Sequence, residues 1–180
     1  MRRVLGAGVL ALAGLTATGC SLLGSDDGPS AAQVPKAEIG TDSHVKGAIA
    51  KAVQPYAGKD VYVDILSLKR YDKVLRLVYA VTPRARGNSD KLPKQTFGGS
   101  WSGGDAGRPY LLDTKNLRVY EHLSIGSGDK ASCACSVGIE EYPLDQPTVL
   151  YSDYPSPDES VKELTVVMPV VGPMPGVKVS

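Results

Sequence analysis

Val61-Tyr62-Val63-Asp64-Ile65, followed after a turn at residues 71–73 by Leu75-Arg76-Leu77-Val78-Tyr79-Ala80-Val81, decides the fold of this chain. In both runs apolar side chains (Val61, Val63, Ile65; Leu75, Leu77, Tyr79, Val81) alternate with polar or amphipathic ones. A period of two sends successive side chains to opposite faces of an extended strand, so each run predicts a strand with one face in a core. The turn between them makes the pair a hairpin.

Working outward, Tyr110-Leu111-Leu112 and residues 117–123 flank Asp113-Thr114-Lys115-Asn116, whose Asp and Asn suit a tight turn. That predicts a second hairpin. Further short β-branched or tyrosine-rich runs predict strands at 148–154, 163–168 and 177–179. Residues 83–89 read as loop, and Gly98, Gly99, Gly103, Gly104 and Gly107 leave the next stretch too flexible for a long element. Seven or so short strands with no helix among them predict an all-β chain, an immunoglobulin-like two-sheet β-sandwich over residues 59–180. Ahead of it, Val45, Ile49 and Val53 recur at helical spacing, Asp42 or Ser43 can cap and Pro55 closes the pattern, which predicts a short helix within residues 43–58.

The N-terminus reads differently. Arg2 and Arg3 precede an uncharged apolar run over residues 4–17, and Thr18 and Gly19 lead into Cys20. A positive start, a short apolar stretch and small residues make a signal peptide over residues 1–19. Its end resembles the lipobox of bacterial lipoproteins, although Ala17 stands where leucine is usual; the resemblance implies a diacylglyceryl group on the Cys20 thiol and cleavage just before it. Two acyl chains suffice for stable anchoring. The paired arginines leave Sec and twin-arginine export both open. A transmembrane helix fits less well, because Gly6, Gly8, Gly14, Thr16 and Thr18 dilute the apolar run. Residues 20–42, rich in Gly, Ser, Asp, Ala and Pro, read as a flexible tether.

A formal net charge of +1, with acidic and basic residues interspersed, carries no electrostatic footprint for nucleic acid. Two histidines, His44 and His122, lie far apart in the sequence and do not suggest a zinc site. Gly126-Ser127-Gly128-Asp129-Lys130-Ala131 matches a dinucleotide-binding turn in spelling but is followed by Cys133 and not by a helix. The serines around Trp101 lack the glycine framing of a nucleophile elbow. No cofactor is expected, and the reading is of a protein that is not an enzyme.

Two features carry chemistry. Trp101, the single tryptophan, stands among glycines and serines; it marks a candidate binding loop that could stack on a sugar or cover a partner's apolar pocket, or it folds back to plug one end of the sandwich. Cys133 and Cys135 project to the same side of an extended chain, and a bulge can bring them within bonding distance. A local disulfide is the preferred reading, with a redox-active pair and a Cu(I) site as rivals.

The series Leu66-Ser67-Leu68-Lys69-Arg70, Phe97-Gly98-Gly99, Leu112-Asp113 with Val119-Tyr120, Cys133-Ala134-Cys135-Ser136, and Tyr154-Pro155-Ser156-Pro157 resembles small extracytoplasmic β-sandwich domains of actinobacterial lipoproteins. Similar modules precede OmpA-type domains in larger proteins. The resemblance implies an immunoglobulin-like fold without an established activity. The expectation is a lipoprotein on the extracytoplasmic face of the cell membrane, anchored through Cys20, that acts as a binding or envelope-structural module for an envelope protein or glycan. The rival is a redox or copper-handling lipoprotein using Cys133 and Cys135.

Overall fold

The computed structural model describes residues 36–85, 91–93, 108–127, 131–136 and 139–180. Its strands are β1 (Ala50–Tyr56), β2 (Lys59–Tyr71), β3 (Val74–Ala85), β4 (Lys91–Pro93), β5 (Tyr110–Asp113), β6 (Arg118–Tyr120), β7 (Ser124–Ile125), β8 (Ser132–Cys133), β9 (Glu141–Pro143), β10 (Thr148–Pro155), β11 (Glu163–Met168) and β12 (Gly172–Lys178). Two four-stranded antiparallel sheets, ordered β1-β2-β3-β10 and β12-β11-β5-β6, face each other, and two small pairs, β4-β9 and β7-β8, lie beside them. This is a β-sandwich. One sheet begins with a three-strand meander, β1-β2-β3, so the strands are wired differently from the ABED and CFG sheets of antibody constant domains.

The alternation read from the sequence is what fills the space between the sheets. Val61, Val63, Ile65, Leu75, Leu77, Tyr79 and Val81 all point into one apolar cluster, met from the other sheet by Leu111, Leu164, Val166, Met168, Met174 and Val177. A bulge between Ile65 and Ser67 shifts the phase of β2, so that Leu68 takes over the inward position from Ile65. Within this core Tyr154 Oη donates to the Pro109 carbonyl at 2.8 Å. Burial pushes the Tyr79 and Tyr154 phenols well above the usual tyrosine range.

Both hairpins form where the alternation predicted them, β2-β3 turning at Asp72-Lys73 and β5-β6 turning over residues 114–117. Strands also occupy Thr148–Pro155, Glu163–Met168 and Gly172–Lys178. Residues 83–85, read as loop, continue β3. Pro83 is tolerated because the β3 pairing with β10 ends at Val81; beyond it the Pro83 carbonyl accepts from Asp145 N–H at 2.9 Å, and no ladder bond calls on its nitrogen.

The short helix does not form. Residues 50–56 are the edge strand β1, paired with β2 from Ala50↔Ile65 to Tyr56↔Lys59. Ala50 and Ala52 pack against the core while Ile49 and Val53 face solvent. The inward alternation was therefore carried by alanines, whose small apolar surface gives a weak pattern, and Gly47 with φ 77° breaks any helix between Val45 and Ile49. The sheet starts ahead of residue 59, and its connection to β2 is a two-residue turn, Ala57-Gly58, with both residues left-handed.

Candidate functional site

Asp64 lies on the face of β2 that turns away from the core, yet it is fully buried. Residues 38–48 fold back over it as a strap. The strap closes on itself through Lys46 N–H donating to the Glu38 carbonyl (2.8 Å) and Gly40 N–H to the His44 carbonyl (2.7 Å). Asp64 then holds it down: Oδ2 accepts from Val45 N–H at 2.8 Å and Oδ1 meets His44 Nδ1 at 2.6 Å. Val45 is buried beneath, and the His44 ring stands edge-on to Tyr62. Asp42, which belongs to the last stretch expected as tether, pairs with Lys51 at 2.8 Å; this contact holds its carboxyl below the usual range.

Further along the same face Arg76 and Asp153 form a two-pronged pair across β3 and β10, Nε to Oδ1 at 2.7 Å and Nη2 to Oδ2 at 2.8 Å. Both residues are buried, and the Arg76 guanidinium lies 4.3 Å from the Tyr151 ring centroid. Bidentate geometry and the ring together replace the water these charges lose. The Asp153 carboxylate raises the Arg76 pKa further, so the guanidinium stays protonated.

Cys133 and Cys135 are joined by a disulfide, with Cα atoms 5.2 Å apart. The backbone around them is stitched to the free edge of β10. Asp153 N–H donates to the Ala134 carbonyl (2.8 Å), Ser136 N–H to the Tyr151 carbonyl (2.9 Å), and Tyr151 N–H to Ser136 Oγ (2.9 Å). Leu123 continues the cover, donating to Asp153 and accepting from Ala134. An edge strand that would otherwise offer unpaired backbone groups is thereby closed. Cys135 is buried against Ser152 and Cys133 is part-exposed.

Each sulfur is committed to the other, so in this state the pair offers no thiolate to a metal. Among the described residues no three His, Cys, Asp or Glu side chains gather into a group that could hold an ion. His122 lines a small pocket with Arg108, Pro109, Tyr110 and Glu121. Cys20 and Trp101 lie outside the described residues. Sequence reasoning missed the strap and the Arg76–Asp153 pair. Asp64 and Arg76 stood at the polar positions of alternating strands, and only the elements that come to cover that face turn them into buried groups.

The described residues thus give an outer face of the β1-β2-β3-β10 sheet with buried polar contacts at Asp64 and at Arg76–Asp153, a disulfide-pinned edge, and an opposite sheet on which Tyr110 and Val119 are exposed. Compared with protein-family models, with curated proteins and with solved structures, this chain matches none of them.

Proposed function

We propose that this chain is a lipid-anchored extracytoplasmic protein, attached to the cell membrane through a diacylglyceryl group on Cys20, whose sandwich works as a non-enzymatic binding or envelope-structural module. The observation that carries the reading is the Cys133–Cys135 disulfide at the β10 edge. Disulfides persist in oxidising compartments outside the cytoplasm, and the leader ending at Cys20 supplies a route there. The likeness to actinobacterial lipoprotein domains belongs to the same proposal.

A module of this kind works by shape and surface and not by chemistry. His44 Nδ1 is committed to Asp64, the Arg76 fork to Asp153, and the sulfurs to each other. The test is Cys20→Ala in the producing cell: the variant is expected to leave the membrane fraction or to accumulate unprocessed. A variant that is processed normally and still sediments with membranes would refute the anchor.

The redox rival draws on the partial exposure of Cys133, which lets a reductant reach the bond. Alkylation followed by mass spectrometry separates the two. A chain with no free thiol, whose Cys133→Ala, Cys135→Ala double variant keeps its envelope phenotype, carries a structural disulfide; loss of the phenotype with the fold intact makes the pair chemical.

A further inference from the structure

We draw no further inference here: the strongest candidate, the outer edge of β1 beside the exposed side chains of Ile49 and Val53, pairs with no other strand among the described residues, and nothing in the structure shows what covers it.

Discussion

On the outer face of β1-β2-β3-β10 the polar residues Asp64, Arg76, Thr82 and Asp153 are buried, whereas on the outer face of β12-β11-β5-β6 the apolar residues Tyr110, Leu117 and Val119 are exposed. The first face hides what water would welcome, and the second shows what water rejects. What separates them is cover. A strap from the N-terminal side lies over Asp64 on the first, and the carboxylate oxygens of Asp64 and Asp153 each have a partner at hydrogen-bond distance. On the second, Tyr110 and Val119 are exposed, although Thr165 of the same face is buried. Buried polar contacts of this kind are structural features of the fold, whereas exposed apolar side chains leave a surface that water solvates poorly.

The largest effect expected on this comparison comes from Asp153→Ala. Removing one partner of a buried ion pair leaves the Arg76 guanidinium uncompensated, and stability should fall by about 3–5 kcal/mol. Urea unfolding measures it. Replacing both residues together, Arg76→Met with Asp153→Leu, should recover most of the loss; if it does not, the pair does more than balance its own burial.

Next comes the strap. Asp64→Ala strips His44 Nδ1 and the Val45 amide of their acceptor, at a cost of about 1–3 kcal/mol. Hydrogen exchange should quicken at Val45 while the β2-β3 amides at Val63 and Val81 stay protected. Equal loss of protection everywhere would show that the strap and the sheet unfold as one unit.

The disulfide is expected to matter less. A ring closed between residues two apart removes little chain entropy, and the Cys133→Ala, Cys135→Ala variant should lose roughly 1–2 kcal/mol. Because the segment is also stitched to β10 by backbone hydrogen bonds, it should stay docked, which the Asp153 amide exchange rate reports.

On the open face the effects are smaller and one is of opposite sign. Leu117→Gly should stabilise the fold by up to about 1 kcal/mol, since glycine accepts φ 54° without penalty. Acid acts on the same turn. Hydrogen bonds from Asn116 and neighbouring amides hold the Asp113 carboxyl below its usual range, so its stabilising contribution is complete above the unfolded carboxyl pKa and is lost as pH falls through the folded one. Chemical shifts at Asn116 and Leu117 should change in that acid range before the rest of the sandwich responds.

The sequence by itself determined the β class, the two hairpins and the core, because Val61, Val63, Ile65 and Leu75, Leu77, Tyr79, Val81 alternate so regularly that one face of each strand had to be buried. It also brought Cys133 and Cys135 within bonding reach, since two residues along an extended chain project to one side. Only the tertiary structure decided what covers each sheet. The spacing of Val45, Ile49 and Val53 suits a helix, but an edge position beside β2 rewards the backbone of residues 50–56 with a full ladder of hydrogen bonds and lets Ala50 and Ala52 reach the core. In the same way Asp64, Arg76 and Asp153 look like solvent-facing strand residues, and Val119 and Leu112 like core ones, in any local window. Polarity sets which face of a strand prefers the core, but burial of the outer face depends on which other segment comes to lie there, and that is a contact between residues distant in the chain.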